Sequence, residues 1–224
     1  KYKSIFEENF HKDEFIILGI NDLKNNYKTE IYNSLAVFDN KLNLISVYHK
    51  NKLVPFGEFL PLENQLSKLG LKKITNSFQS FSKGTSRDII KIKNLSILPL
   101  ICYEVIYSGK LSNTNNYDFI INISEDGWFG KSIGISQHFY HSIFRSIEEG
   151  KSVIRSSNNG ISAVVNPKGK ILKIKKSTES GVITINELEI LSKKTLFSIY
   201  GNNIFFYLSL IYITLIFFLK SKGR

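Results

Sequence analysis

Residues 95–104 read LSILPLICYE, a run that is apolar at every position from Ile97 to Ile101, ends at Cys102 and gives way to Tyr103 and Glu104. A run that stays apolar at every position, instead of alternating, marks a strand covered on both faces. With 95–102 as one strand, similar short runs follow at 15–20 (FIILGI), 34–38 (SLAVF), 44–48 (LISVY), 119–123 (FIINI), 162–166 (SAVVN) and 182–186 (VITIN). Asp39-Asn40 and Asn166-Pro167-Lys168-Gly169 read as tight turns between paired strands. Residues 137–150 (QHFYHSIFRSIEEG) place Phe139, Ile143 and Ile147 at spacings of four, which predicts an amphipathic helix closing at Gly150. A second, weaker helix is predicted over 61–70. Strands interleaved with helices predict an α/β layered sheet.

The 224 residues suffice for one large domain with an appendage, at about 150 residues per domain. With 42% hydrophobic and 22% charged residues the chain has the composition of a folded protein, which excludes disorder and low-complexity repeats. One cysteine excludes an internal disulfide, a zinc ribbon and a CxxC redox motif together. The net charge of +11 comes from 30 basic residues of which only four are arginine, the residue favoured for gripping phosphates and reading bases. That balance, in a chain rich in Ile and Asn, reads as codon bias in an AT-rich genome, and no nucleic-acid partner is expected. The chain contains no methionine and begins Lys1-Tyr2-Lys3, so it is expected to be a fragment.

Residues 204–219 (IFFYLSLIYITLIFFL) carry no charge and are followed at once by Lys220, Lys222 and Arg224. Counted back to Tyr200, the stretch reaches the roughly 20 residues that a membrane-crossing helix needs. Positive charges directly after the span favour a cytoplasmic C-terminus, which puts everything before Tyr200 on the opposite side.

Three clusters could carry chemistry. Cys102 stands at the C-terminal end of a strand, where α/β sheets place reactive groups, although free cysteines are more often buried and inert. In residues 48–59 (YHKNKLVPFGEF) a strand runs out into a Pro- and Gly-containing loop carrying Lys50 and Glu58. A lysine there can stabilise an oxyanion and lower the pKa of a neighbouring thiol, and Glu58 could orient it. Residues 122–130 (NISEDGWFG) set the single tryptophan, Trp128, in a polar loop where it could wall an apolar pocket. The polar run 155–162 (RSSNNGIS) reads equally as core hydrogen bonding or substrate contact. His138 and His141 read as packing or capping residues, since no HExxH or other metal-ligand spacing accompanies them. No phosphate-cradling glycine motif and no GxSxG elbow occurs.

Taken together, YHKNKLVPFGEFLPLE (48–63), ICYE (101–104), DGWFGKSIGISQHF (126–139), RSSNNGISAVVNPKGKI (155–171) and the terminal apolar helix resemble the bacterial apolipoprotein N-acyltransferases, membrane members of the nitrilase (carbon-nitrogen hydrolase) superfamily. The resemblance implies a nitrilase-like α-β-β-α sandwich, N-terminally truncated, over 1–199, a transmembrane helix over 200–219 and a basic cytoplasmic tail over 220–224. It implies Cys102 as the nucleophile, Lys50 as the catalytic lysine, Glu58 as a further active-site glutamate, Glu104 as a near-site residue, and Trp128 in a loop lining a lipid-facing pocket. The Tyr103 amide would donate to the oxyanion with Lys50. The implied reaction moves an acyl chain from a phospholipid to Cys102 and then to the N-terminal amine of a diacylglyceryl-cysteine apolipoprotein, at the inner membrane with the catalytic domain periplasmic. Thiol, ammonium and carboxylate suffice, so no metal or organic cofactor is expected.

The chain departs from the family in two ways. The family's general-base glutamate lies upstream of the strand at 15–19, farther than this chain reaches, so the 224 residues alone are expected to be inactive or poorly folded. Glu125 and Gly127 stand where the family more usually has Asn and Ala. Two other readings remain: a membrane-anchored amidase acting on a small amide, and a non-catalytic membrane-tethered interaction domain that has lost its base. Turnover of a soluble amide would favour the first, and absence of an upstream glutamate in a complete chain the second.

Overall fold

The computed structural model describes residues 2–25, 29–62, 65, 67–70, 80–109, 111–112, 116–191 and 193–222. After a short helix α1 (Tyr2–Asn9), strands β1 (Phe15–Asn25), β2 (Thr29–Asp39) and β3 (Leu44–His49) form an antiparallel sheet in the order β1-β2-β3. The register pairs Phe15 with Asp39 and Leu35 with Tyr48, and the Asp39-Asn40 turn joins β2 to β3 as predicted. A second sheet holds β4 (Ile90–Ile92), β5 (Leu95–Ile101), β6 (Phe119–Glu125), β7 (Ser152–Asn158), β8 (Ser162–Val165) and β9 (Ile171–Lys175), neighbours in chain order. Its central strands β5, β6 and β7 are parallel, and its flanking pairs are antiparallel.

The apolar character of β5 from Ile97 to Ile101 now has its cause. Successive strand residues point to opposite faces, so Ile97 and Ile101 meet Leu35, Val37 and Tyr48 of the first sheet. Leu98 and Leu100 face the other way, against Phe139 of helix α2 (Gly134–Glu149) and Val105. Burying each such side chain contributes about 1.5–3 kcal/mol. The layers thus run sheet, sheet, helix, with both cores meeting on β5.

Several boundaries differ from the sequence reading. Residues 182–186 form no strand: Val182 is 86% exposed and no neighbouring strand supplies a ladder. Strands β4, β7 and β9 were hidden because β4 is three residues long, β7 is polar along half its length and β9 alternates with lysine at an edge, where charge discourages further pairing. Cys102 leaves the strand and opens a 3-10 turn, Cys102–Ile106. Of the helix predicted over 61–70, Gln65 is helical and Ser67–Leu69 form a 3-10 turn; residues 63, 64 and 66 lie outside the described residues.

Helix α2 ends as predicted, with Gly150 left-handed at φ 63°. Its buried stripe is polar, however: His138, Ser142, Arg145, Ser146 and Glu149 join Phe139, while Ile147 is 45% exposed. Hydrogen bonds satisfy part of that stripe, among them Tyr117 Oη to Glu149 and Ser146 Oγ to the Ile143 carbonyl, while Ser142 Oγ, Arg145 Nε and Nη1 and Glu149 Oε1 have no partner among the described residues. A five-residue helix α3 (Leu196–Tyr200), N-capped by Thr195, turns at Gly201 into α4 (Asn203–Lys222). Helix α4 has 20 residues, a mean hydropathy of 2.0 and no part buried in the protein. At 1.5 Å per residue it is about 30 Å long, the thickness of a bilayer's hydrocarbon core. The helix starts three residues later than predicted and carries Lys220 and Lys222 within its last turn.

Candidate active site

Cys102 is held in a backbone conformation that its side chain disfavours. Its φ is 49°, in the left-handed region, at the point where β5 becomes the 3-10 turn. For a residue bearing a Cβ this costs about 1–2 kcal/mol, and such strain persists only where neighbours over-determine it. The neighbours here are named. Glu104, fully buried, accepts the Ile101 amide at 2.9 Å on one oxygen. On the other it accepts the Tyr48 hydroxyl at 2.8 Å and the Asn51 and Lys52 amides at 3.0 and 2.9 Å. The Cys102 carbonyl lies 3.2 Å from His138 Nε2, and its Sγ lies 3.9 Å from the Glu125 carbonyl. The thiol is half-buried.

Lys50 follows the last residue of β3 and is 1% exposed. Its Nζ donates to Glu58 Oε1 at 2.9 Å and lies 2.8 Å from Oε2. Glu58 is fixed in turn by the Asn33 side-chain amide and the Val54 backbone amide, both at 2.8 Å. The lysine's own backbone is pinned on both sides: its amide donates to Asn33 O at 2.8 Å, and its carbonyl accepts from Gly84 N at 2.9 Å. Gly84 lies so close that a Cβ there would meet the His49 carbonyl oxygen at 2.2 Å. Lys50 and Glu58 therefore form a rigid, desolvated ion pair. Both carboxylates of the site are committed, Glu58 to an ammonium and Glu104 to backbone amides.

These residues come from different sheets, and Glu104 is what joins them. Its carboxylate spans from the cysteine turn to the backbone of the lysine loop, so loop and turn hold a common position. Tyr103, beside the cysteine, is half-buried with its ring edge-on to Tyr107 at 5.8 Å.

A second buried network underlies the turn, and the sequence reading did not assemble it. His138 Nδ1 lies 2.9 Å from Asp126 Oδ1, and Arg155 Nη2 donates to Asp126 Oδ2 at 2.7 Å. Arg155 also donates to Asn122 Oδ1 and to the Ile161 carbonyl. Burial pushes Asp126 up, but the hydrogen bond with His138 and the charge of Arg155 outweigh it and hold the carboxyl well below the usual carboxylate range. His138 is thus more than a packing residue: it links this anchored carboxylate to the carbonyl of Cys102. One signal was available in the sequence. Asn122 and Arg155 each interrupt an apolar strand, and they are register partners in the β6–β7 pair.

Trp128 sits in a 3-10 turn, Gly127–Phe129, just after β6 and is 68% exposed. The two departures at 125 and 127 prove to be one feature. Glu125 Oε1 accepts the Gly127 amide at 2.7 Å and the Asn159 side-chain amide at 3.1 Å. A Cβ at position 127 would lie 2.6 Å from that same oxygen, so the glutamate occupies the space of the alanine methyl. Gly127→Ala is expected to lower stability by about 1 kcal/mol through loss of the turn's hydrogen bond, and adding Glu125→Asn to recover most of it. A double-mutant cycle by denaturant unfolding checks this; strictly additive effects would refute the coupling.

A constrained thiol at a strand end, beside a loop holding a buried ammonium, is suited to covalent acyl chemistry. A sequence profile of the family described as carbon-nitrogen hydrolase matches residues 11–187. The apolipoprotein N-acyltransferase of Rickettsia prowazekii (strain Madrid E) is 40% identical over 206 residues, which cover 91% of this chain and 41% of that protein. Its namesake from Bradyrhizobium diazoefficiens is 43% identical over 144 residues, 63% of this chain and 27% of that one. The chain therefore spans less than half the length of these relatives. Among solved structures, a carbon-nitrogen hydrolase from Helicobacter pylori G27 superposes with a TM-score of 0.56 at 13% identity, over 80% of this chain and 62% of that one. An amidase from Nesterenkonia sp. gives 0.53 at 13% identity, over 79% and 61%. These likenesses establish the nitrilase-like α/β fold. Since the matched segment takes in both sheets, the lysine loop and the cysteine turn, the chain belongs to the carbon-nitrogen hydrolase family.

Proposed function

We propose that this chain carries the acyl-transfer domain of an apolipoprotein N-acyltransferase, tethered to a membrane by α4. The observation that carries the reading is the strained Cys102 turn, braced by Glu104 against the loop that holds the Lys50–Glu58 pair, in a chain ending in a helix long and apolar enough to cross a bilayer. The names of the 40% identical relatives support it.

In the proposed reaction the Cys102 thiolate attacks the ester carbonyl of a phospholipid, forming a C–S bond and a tetrahedral oxyanion. The Lys50 ammonium and the Tyr103 amide stabilise that oxyanion, and Glu58 keeps the ammonium in place. Collapse breaks the ester C–O bond, and the lysophospholipid leaves after taking a proton. The N-terminal amine of a diacylglyceryl-cysteine apolipoprotein then attacks the thioester, forms the amide, gives up a proton and returns Cys102 as thiolate. Trp128, exposed on its loop, serves the acyl chain. We assign the residues before α4 to the catalytic domain on the periplasmic side of the inner membrane, α4 (Asn203–Lys222) to the crossing and the C-terminal end to the cytoplasm; the lysines at the end of α4 support that orientation.

The test is intact mass of the full-length protein after incubation with phospholipid and no acceptor. The expected result is one added acyl mass, removed by hydroxylamine and discharged on adding an amine-bearing lipopeptide. Absence of the adduct in folded protein, with hydrolysis of a small amide instead, would refute the reading in favour of an amidase.

A further inference from the structure

Helix α2 carries a second stripe opposite its buried one. Ile133 at its N-cap, Gln137, Tyr140, Phe144 and Ile147 recur at spacings of four and three, which puts them on one face. None of the five is charged, and Tyr140, Phe144 and Ile147 are each about half exposed. Strand β9 widens the patch. Its Ile171 and Ile174 pair in register with Val165 and Ala163, which pack with Phe139 in the core beneath α2. Directly opposite residues point to the same side of a sheet, so both isoleucines stand exposed on the α2 side. The β8–β9 turn touches the stripe: a Cβ on Gly169 would meet Ile147 Cδ1 at 2.6 Å.

This face leads into the apolar terminal helix. Thr195 Oγ1 donates to the Glu148 carbonyl at the end of α2, and α3 then presents Leu196, Ile199 and Tyr200 to solvent. Asn202, one residue before α4, donates through Nδ2 to the Ser108 carbonyl at 3.5 Å, and Ser108 Oγ donates to Glu148 Oε1 at 3.1 Å. Helix α4 therefore starts beside the last turn of α2, and the stripe ends at the level where a crossing α4 enters the bilayer. Lys170 beside the β8–β9 turn, and Lys193 and Lys194 just before α3, are exposed at the border of the patch.

We infer that this face rests on the surface of the same bilayer that α4 crosses, with Tyr140, Phe144 and Ile147 among the outer ends of the acyl chains and the three lysines at anionic headgroups. An apolar face bordered by lysines is the make-up of a segment that lies in the headgroup region. Position favours lipid over a protein partner, because the contacts at Glu148 hold the patch where α4 begins. The inference rests on the crossing proposed for α4 and does not depend on the acyl-transfer chemistry.

The experiment puts the photo-crosslinker p-benzoylphenylalanine in place of Phe144 and, separately, of Ile147, both exposed, in the full-length protein reconstituted into vesicles of phosphatidylethanolamine and phosphatidylglycerol. Leu210 of α4 and the exposed Leu23 of β1 serve as reference positions. Intact mass after irradiation is expected to show a phospholipid adduct at 144, 147 and 210, at least about fivefold more abundant than at 23. Replacing Lys170, Lys193 and Lys194 together by Gln is expected to lower the adduct at 144 several-fold, and added salt to do the same. Lipid adducts at 210 with none at 144 or 147 would overturn the docking and leave the crossing standing, whereas none at 210 would overturn both. A crosslink from 144 to another part of the protein, or to a second copy, in place of lipid would also overturn it. No outcome requires turnover, so failure of the acyl-transfer reading is seen separately, as absence of the adduct at Cys102.

Discussion

The Cys102→Ala protein is expected to lose the hydroxylamine-sensitive acyl adduct altogether and to transfer acyl groups at least about 10⁴-fold more slowly, with its fold intact. The 224 residues hold one cysteine, so no second thiol within them can take over. Comparison with Cys102→Gly tests the geometry as well as the chemistry. Both variants lack the thiol, but at φ 49° only alanine keeps the strained Cβ. The glycine variant is therefore expected to unfold at higher denaturant, by about 1 kcal/mol. An inactive variant more stable than another inactive variant would show that the turn stores strain in the service of the thiol's position. Equal unfolding midpoints would remove the strain argument, and an adduct surviving in Cys102→Ala would remove the nucleophile.

The second large effect is expected at Arg155. Arg155→Met keeps much of the side chain's bulk but leaves the Asp126 carboxylate buried without its cation and Asn122 Oδ1 without its donor. Breaking a buried pair from one side costs about 3–5 kcal/mol, a large part of a domain's total stability of about 5–15 kcal/mol. The pH dependence has a definite sign. Asp126 titrates lower when folded than when unfolded, so below the ordinary carboxylate range the unfolded chain binds the extra proton. The stability from Asp126 is complete above about pH 5 and is lost progressively as pH falls through the carboxylate range and below it. Asp126→Asn is expected to flatten that acid limb of the unfolding curve while retaining a hydrogen bond to Arg155. Denaturant midpoints measured from pH 7 down to about pH 3 in wild type and variant decide the matter. Identical acid limbs would contradict the assignment.

How far the site was legible varies residue by residue, for physical reasons. Cys102 could be found because β5 is covered on both faces and so spells an apolar run whose end is visible. Lys50 and Glu58 could be found as charges in a Pro- and Gly-containing loop, yet their ion pair closes only when that loop folds back. The role of Glu104 could not be read, because its four donors come from residues 48, 51, 52 and 101, and only one of these is its near neighbour in the chain. His138, Asp126 and Arg155 looked like unrelated polar residues for the same reason. Strand β7 escaped notice because a buried arginine breaks its pattern, and 182–186 misled because alternation alone cannot supply a neighbouring strand.

By itself the sequence determined the α/β class, most strands and two of their turns, the apolar terminal helix, and the residue types from which the chemistry is built. Those are local properties: periodicity, turn preference and length act between residues close along the chain. Only the tertiary structure decided that Cys102 is left-handed, that Glu104 ties it to the lysine loop, and that Arg155 meets Asp126 and Asn122 in the interior. These depend on contacts across tens of residues, where burial sets the cost of every unpaired charge and so dictates which partners must meet.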